Sequence, residues 1–302
     1  MEDNNLYVPD NDIKTAKSSF AIYQNENVKY EGKEIPLNNF AYRIQSGFFQ
    51  AIDIEIINAV YLLNYATSRQ ITYFLNIVRN IDVNQSTISK RLSKLNNSSV
   101  IARYSFVSDD RTTETSTKCY VLRDNGKKLL IRREYPCDWN VLNCDLLLDN
   151  IKSYLAFNNY ILKLLKENLL KFEDIKFINE NSKINCTYSI NNYKHFVITL
   201  RSNFELNNIE KALVYIDSKY GSITNTRIIF IGEDDVHLFN IFKSLLLLIQ
   251  KQIIPVKYLN NVIFTQDLRI IERNIDNFFI KYKISENKAI LEDSQLQEFS
   301  IK

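Results

Sequence analysis

Residues 67–95 read TSRQITYFLNIVRNIDVNQSTISKRLSKL, and their spacing decides the fold of the N-terminal half. Thr67 followed by Gln70 fits a capping box, which predicts that a helix begins there. After a short polar turn, residues 83–95 repeat apolar side chains at helical intervals. The stretch therefore predicts two consecutive helices joined by a tight turn.

The second of these helices, over residues 83–95, has a polar outer side. It contains no acidic residue, and its lysines accompany short hydroxyl and amide side chains. Side chains of this kind reach base edges in the major groove of DNA, while lysines contact phosphates. The helix therefore predicts a DNA-reading surface. Its expected members are Gln85, Ser86, Thr87, Ser89, Lys90 and Lys94.

The segments on either side of these helices complete the pattern. Residues 53–65 place apolar side chains at helical spacing and predict a preceding helix. Residues 100–107 and 118–122 predict two strands separated by a polar loop, which together form a wing. Basic residues of the wing and of the helix opened by Thr67 are expected to contact the DNA backbone or the minor groove. These residues are Arg69, Arg103, Arg111 and Lys118.

Charge is unevenly distributed along the chain. Residues 51–136 contain 13 lysines and arginines against 8 acids, whereas the whole chain has 38 bases and 35 acids. A basic segment joined to a nearly neutral one suggests that one region meets a polyanion and the other has a different role. A solvated basic surface would produce the same imbalance, so the pattern of residues has to decide.

Residues 53–133 resemble a winged helix-turn-helix DNA-binding domain. The resemblance rests on the three helices, the wing and the closing segment at residues 120–130, which runs from a strand into a helix through a polar turn. That segment is similar to the Y-x-L-T-x-x-G pattern of many bacterial regulators, with Arg123 where threonine is usual. The resemblance implies binding to double-stranded DNA. A winged helix that contacts proteins is the alternative.

After a linker at residues 135–145, helices and strands alternate. A long amphipathic helix is predicted over residues 146–172, and a last helix over residues 267–282. The other predicted strands cover residues 174–178, 184–190, 196–200, 226–231 and 261–264, and the other predicted helices cover residues 206–220 and 234–252. The predicted fold class is α+β or α/β, with a mixed sheet flanked by helices behind the winged helix.

This order, placed behind a winged helix, resembles the bacterial replication-relaxation family of plasmids and mobile elements. The C-terminal domain of that family is similar to the PD-(D/E)xK nuclease core, so the resemblance implies a restriction-endonuclease-like αβββαβ order over residues 146–285. An active core of this kind needs carboxylates near the ends of neighbouring strands, because Mg²⁺ is bound by carboxylate oxygens and water. Thr199 and Arg201 occupy those positions, and residues 182–203 contain no acid. The domain is therefore predicted to lack catalytic residues.

Other chemistry has few candidates in the sequence. The acidic residues 233–235 before His237 are interpreted as the N-terminal cap of a helix. Cys186 and His195 lie on neighbouring predicted strands, but no third group that would activate the thiol is visible. The five glycines form no phosphate-binding motif. We therefore expect neither a cofactor nor a bound metal ion.

The terminal segments are less regular. Residues 1–50 are interpreted as an N-terminal arm or extension, with a hairpin between residues 19–23 and 28–30, and residues 286–302 as a polar tail. The chain starts without the apolar core of a secretory signal, its apolar runs are too short to cross a membrane, and four cysteines are too few for a disulfide framework. These features predict a cytoplasmic protein without a membrane partner.

The combined pattern predicts a non-enzymatic protein of two domains. Residues 51–134 are expected to bind a specific double-stranded DNA site, and the C-terminal domain to form a homodimer or hold a protein partner. The family resemblance implies a role in replication, transfer or transcription control of a plasmid or mobile element. A ligand-sensing transcription regulator, an interaction scaffold and a metal-dependent nuclease with displaced acids are the alternatives. The carboxylates available to such a nuclease are Glu173, Asp174, Glu205 and Glu210.

Overall fold

A computed structural model describes residues 18–109, 116–140, 147–178, 183–202, 204–220, 225–285, 288–296 and 299. The chain divides into two compact units. The helical unit contains the described residues between 22 and 158, and the sheet unit contains those from 18 to 21 and from 159 onward. Both units mix helices with strands, in agreement with the predicted α+β or α/β class.

Helices make up most of the helical unit. Their ranges are α1 Leu37–Gln45, α2 Ala51–Leu63, α3 Ser68–Val78, α4 Gln85–Asn96 and α5 Asp124–Arg132, followed by α6 Leu148–Lys166, which continues into the residues of the sheet unit. Asn158 on α6 donates its side-chain amide to the Leu63 carbonyl at 3.0 Å and to the Tyr65 carbonyl at 2.7 Å. The first half of α6 therefore belongs to the helical unit, which ends later than the predicted boundary at residue 134.

The starts of α3 and α4 are set by side-chain caps. The capping box predicted at Thr67 is present, because the Thr67 hydroxyl accepts the Gln70 amide at 3.2 Å and the Gln70 carboxamide accepts the Thr67 amide at 3.0 Å. Asn84 caps α4 by accepting the backbone amide of Thr87 at 2.9 Å. Helix α4 therefore begins at Gln85, two residues after the predicted start at Val83.

The helical unit also contains a three-stranded antiparallel sheet in the order β1-β2-β3. Its strands are β1 Asn27–Tyr30, β2 Ile101–Val107 and β3 Lys118–Leu122, so both predicted wing strands are present. The predicted hairpin between residues 19–23 and 28–30 is wrong, because β1 pairs with β2 instead. Ala66, between α2 and α3, forms an isolated antiparallel bridge to Tyr120 of β3. The segment expected to be an arm therefore supplies a strand to this sheet.

A buried ion pair lies inside the helical unit. Lys152 on α6 donates its ammonium to Glu26, and neither side chain is exposed to solvent. The ammonium also lies 5.3 Å from the centre of the Tyr23 ring and 5.2 Å from that of Phe106. Because each charge is removed from water, each depends on the other for its compensation.

Strands dominate the sheet unit, where the described residues form a mixed sheet in the order β10-β9-β8-β7-β6-β5-β4. The strands are β4 Lys176–Phe177, β5 Cys186–Ile190, β6 Tyr193–Thr199, β7 Thr226–Gly232, β8 Val262–Gln266, β9 Ile280–Ser285 and β10 Lys288–Asp293. The pairs β6–β7 and β7–β8 are parallel, and the remaining pairs are antiparallel. The helices between the strands are α7 Leu206–Tyr220, α8 Asp235–Gln250 and α9 Asp267–Glu272.

The two faces of this sheet have different cores. On one face, Leu213 of α7 and Leu245 of α8 belong to a buried apolar cluster with Ile228, Phe230 and Phe264. On the other face the His195 ring stacks on Tyr188 at a centroid distance of 4.8 Å and meets Phe299 at 5.3 Å. Adjacent residues of a strand point to opposite faces, so His195 belongs to one core and Phe196 to the other. Both sheet faces are therefore covered.

The end of the chain differs from the sequence expectation. The predicted helix over residues 267–282 ends at Glu272, and Ile280–Ser285 forms strand β9. Ile280 and Tyr282 are buried while Lys281 and Lys283 lie between and beyond them, an alternation typical of a strand. The predicted polar tail at residues 286–302 is also wrong, since β10 lies within it and Phe299 is buried. Within the described chain, helices are too short or too polar to span a bilayer.

Candidate nucleic-acid interface

Helix α4 presents its polar side to solvent. Ile88, Leu92 and Leu95 are fully buried beneath it, and this stripe fixes which side faces outward. Gln85 and Lys90 are exposed on that outer side. Ser86 is exposed as well, and its hydroxyl donates to the Asn84 side chain at 2.8 Å. Thr87 and Ser89 are partly buried. Gln85, Ser86 and Lys90 are therefore the exposed members of the predicted surface on α4.

The neighbouring side of α4 is tied to the start of α2 by a buried carboxylate. The Asp53 side chain is 0% exposed, and it accepts the Arg91 guanidinium at 2.9 Å and the Lys94 ammonium at 2.7 Å. Asp53 also accepts the backbone amide of Gln50 at 2.9 Å, which completes a capping box on α2. These bonds hold α4 against α2 in one rotational setting about its own axis.

Lys94 is consequently bonded within the helical unit, whereas the sequence predicted that it contacts DNA. Besides Asp53, its ammonium donates to the Phe48 carbonyl at 2.6 Å and lies 4.2 Å from the centre of the Phe48 ring. A lysine with these three partners is not available as an independent phosphate contact. We therefore treat Lys94 as a residue that positions α4.

Helix α3 adds two exposed side chains near the start of α4. Arg69 is exposed as expected, and Tyr73, one turn further along, is 40% exposed. The Gln85 side-chain amide lies 3.4 Å from the Ser68 hydroxyl, which brings the starts of α3 and α4 together. Tyr73 was not predicted as a site residue. Its place opposite the buried Phe74 and Leu75, four positions after Arg69, is the signal that could have identified it.

The turn between α3 and α4 is closed by a reciprocal pair of hydrogen bonds. Asn76 donates its side-chain amide to the Val83 carbonyl at 3.2 Å and accepts the Val83 backbone amide at 3.2 Å. Arg79, at the end of α3, forms a two-bonded ion pair with Glu55 on α2 at 2.9 and 3.2 Å. These bonds close the turn between α3 and α4 and tie the end of α3 to α2.

The hairpin β2–β3 carries the remaining expected contacts. Arg103 is paired with Glu31 at 2.9 Å, so its charge is already compensated, which differs from the expectation of a free DNA contact. Lys118 is partly buried at the start of β3. Arg111 lies outside the described residues. Of the described hairpin bases, Lys118 therefore remains as a candidate contact.

The strand ends of the sheet unit hold charges that neutralise one another. Arg201, after β6, is buried and pairs with Asp267 at 2.8 and 3.2 Å. The Ser18 hydroxyl also donates to Asp267 at 2.5 Å. Glu233, after β7, accepts the Ser202 backbone amide at 2.9 Å. At these strand ends Arg201 and Asp267 therefore bond to each other, and Glu233 bonds to Ser202.

The sequence interpretation of Asp234 as a helix cap is confirmed. Asp234 accepts the backbone amide of His237 at 2.8 Å at the start of α8. Asp235 lies in the first turn of α8, where an acid matches the helix dipole, and it also accepts the side-chain amide of Gln266 at 3.0 Å. Burial raises the pKa of Asp235, the positive charge of Arg269 opposes this rise, and the negative charges of Asp234 and Asp293 add to it. The acidic residues at this helix start therefore have structural partners.

Cysteine and metal chemistry gain no support from the geometry. Cys186 pairs across the sheet with Val197, while His195 pairs with Tyr188, so the thiol and the imidazole occupy different register positions. Burial raises the pKa of the Cys186 thiol well above its ordinary value, which disfavours the reactive thiolate. Among the described residues, no group of three histidine, cysteine or acidic side chains could hold a metal ion.

Comparison with known proteins gives no relative: no family model matches the chain, and neither a curated protein nor a solved structure does. Function has to be inferred from the side chains themselves.

Proposed function

We propose that the helical unit is a winged helix-turn-helix domain that binds a specific site in double-stranded DNA. Its order of elements supports this proposal, because α2, the Ala66 bridge, α3, α4 and the β2–β3 hairpin follow one another as in that class of domain. Helix α4 takes the role of the recognition helix, and the hairpin takes the role of the wing.

One observation carries the proposal: the outer side of α4 combines exposed Gln85, Ser86 and Lys90 with no acid anywhere on the helix. A major groove about 12 Å wide accepts an α-helix, and amide and hydroxyl side chains can hydrogen-bond to its base edges. Lys90 supplies an ammonium that contacts a phosphate. Thr87 and Ser89, which are partly buried, contact DNA only at the margin of this surface.

Arg69 and Tyr73 extend the same surface along α3. Arg69 provides a second exposed cation for the backbone, and the Tyr73 hydroxyl provides a neutral donor to a phosphate oxygen. Lys118 and Arg111 are the wing residues that we assign to the backbone or the minor groove. Arg103 and Lys94 hold the domain together through Glu31 and Asp53 and are left out of the contact set.

For the sheet unit we propose a non-enzymatic role as the platform for a homodimer or a protein partner. The paired state of Arg201 and Asp267, and of Glu233 with Ser202, supports this proposal over a nuclease with displaced acids. Glu173 and Asp174 lie on a short 3-10 helix, whereas Glu205 immediately precedes α7 and Glu210 lies within it. The order αβββαβ and the resemblance to the replication-relaxation family suggest a cytoplasmic protein that acts in plasmid or mobile-element replication, transfer or transcription control.

Selection from a random duplex library tests sequence-specific binding. The full chain is incubated with the library at physiological salt, and the bound fraction is amplified and sequenced over several rounds. We expect one recurring motif, and we expect substitution of Gln85 by alanine to relax the preference at one or two positions of it. Bound DNA as random as the input library would contradict specific recognition by α4.

A further inference from the structure

A pair of lysines lies at one end of the sheet unit, where β6 begins. The Lys194 ammonium is 3.6 Å from the centre of the Tyr220 ring, at the end of α7, and 5.5 Å from that of Phe196. The side chain of Lys194 is partly buried, and that of Lys176 on β4 is exposed. An ammonium over an aromatic ring is attracted by the electron-rich face, which holds it in place but leaves its charge uncompensated.

Strand register brings Lys176 and Lys194 to the same face of the sheet. Thr187 of β5 pairs with Lys176 on one side and with Phe196 on the other, and residues directly paired across a sheet point to the same face. Lys194 precedes Phe196 by two positions and therefore shares that face as well. The two lysines consequently share one face of the sheet, with Lys194 beside the end of α7.

The electrostatics of Lys194 show that this pair repels. Burial lowers the pKa of Lys194, and the positive charge of Lys176 lowers it further. In the part of the chain that the structure describes, no carboxylate forms an ion pair with either lysine. Two like charges without an acid between them make a surface that gains from the arrival of an anion.

We propose that Lys176 and Lys194 form a second DNA contact, a phosphate site that binds the sugar-phosphate backbone of duplex DNA. This inference rests on the proposed function of the helical unit, which makes DNA the polyanion that the chain encounters. Lysine binds phosphate as a compact point charge and does not read sequence. The site therefore adds affinity and salt dependence without adding specificity.

Arg227 lies at the same end of the sheet, on its other face. It follows Thr226, the partner of Lys194 on β7, and its guanidinium lies 4.4 Å from the centre of the Tyr193 ring. Adjacent residues on a strand point to opposite faces, so Arg227 is not part of the phosphate site.

Salt dependence of duplex binding tests the contact in the full chain. A duplex of about 40 base pairs containing the selected motif is titrated with wild type and with the double variant Lys176→Gln/Lys194→Gln between 50 and 200 mM salt. Loss of two phosphate contacts makes the negative slope of log K against log salt less steep by about 1.8. The affinity of the variant therefore falls about tenfold less than that of wild type over this fourfold rise in salt. Lys257→Gln, which removes an exposed lysine elsewhere in the sheet unit, is the matched control and leaves the slope unchanged.

Lysine NMR separates this inference from the proposed function. The full chain is labelled with ¹³C-lysine and titrated with inorganic pyrophosphate. The pKa of Lys194 is expected to rise, because the bound anion offsets the effects of burial and of the Lys176 charge. The shift is expected even if the helical unit reads no DNA. An unchanged salt slope with a normal pyrophosphate response would assign the site to a small phosphate compound and overturn the DNA contact. No response in either measurement would overturn the site altogether.

Discussion

The outer side of α4 and the strand ends of the sheet unit use charged residues in opposite ways. On α4, Lys90 is exposed and its helix contains no acid. After β6 and β8, Arg201 and Asp267 are both withdrawn from solvent and bonded to each other. A charge without a partner at the surface is available to another molecule, whereas a buried pair serves the fold.

Asp53 shows the intermediate case. Its carboxylate is buried, but its partners Arg91 and Lys94 each keep about a quarter of their side chains in solvent, at 26% and 27%. Three grades of burial therefore separate charges that stabilise the fold, charges that position a helix and charges that we propose contact DNA. Substitutions at each grade should differ in size and in kind.

The largest effect is expected from Arg201→Met in the sheet unit. This substitution leaves Asp267 buried without its cation and should lower the free energy of unfolding by about 3–5 kcal/mol. Urea unfolding followed by far-UV circular dichroism measures the loss, and hydrogen exchange on β6 and β8 locates it. Arg201→Met/Asp267→Leu should recover most of it, because the uncompensated charge is gone. A loss below about 1 kcal/mol for the single variant would show that the pair is not a fold determinant.

Asp53→Asn should have a smaller effect on stability and a second effect on DNA binding. Removing the carboxylate should cost about 1–3 kcal/mol, since Arg91 and Lys94 can turn to water. Fluorescence of Trp139, the only tryptophan, follows urea unfolding of the helical unit. We also expect weaker DNA binding with the exposed side of α4 unaltered. Asp82→Asn, at an exposed acid in the turn before α4, is the control and should leave stability nearly unchanged.

The pair Arg79–Glu55 should contribute less than about 1 kcal/mol, because both side chains are partly exposed. Burial raises the pKa of Glu55, but hydrogen bonds from Arg79 and Tyr135 outweigh it, and the net pKa is lowered. A lowered folded-state pKa gives stability that is present above the unfolded pKa of about 4.3 and is lost as pH falls through the folded value. Urea midpoints of wild type and Glu55→Gln should therefore differ at pH 7 and approach each other as the pH falls below the unfolded value. A constant difference across this range would exclude Glu55 titration as its source.

The smallest effect on stability is expected from Lys90→Gln, within about 0.5 kcal/mol of wild type. The same substitution should make the negative slope of log K against log salt for duplex binding less steep by about 0.9, the value for one lost phosphate contact. Lys128→Gln, at an exposed lysine of α5, serves as the control for charge alone. An equal change of slope in both variants would show that Lys90 acts through the overall charge of the protein and not through a phosphate contact of its own.

Local signals predicted much of the helical unit. The Thr67 capping box, the apolar spacing of α3 and α4 and the two hairpin strands depend on residues close together in sequence, so the pattern alone locates them. The engagement of Lys94 depends on Asp53, 41 positions away, and could not be read from spacing. The pairing of Arg103 with Glu31 escaped prediction for the same reason.

The sheet unit was harder to predict at its end. Residues 267–282 contain enough apolar side chains to suggest one helix, but the alternation at Ile280 and Tyr282 belongs to β9. Strand β10 pairs with β9, so the failure to predict β9 also removed β10 from the prediction. Tyr73 was missed, although its spacing of four positions after Arg69 places both side chains on one side of α3.

Fluorescence anisotropy on two duplexes tests the central claim most directly. The full chain is titrated onto the selected duplex, or a duplex from the DNA around its own gene, and onto a scrambled duplex of equal length, each at two salt concentrations. The proposed recognition by α4 predicts that the specific site is bound about 10³-fold more tightly or better. Equal and salt-sensitive binding to both duplexes, or no binding to either, would contradict it.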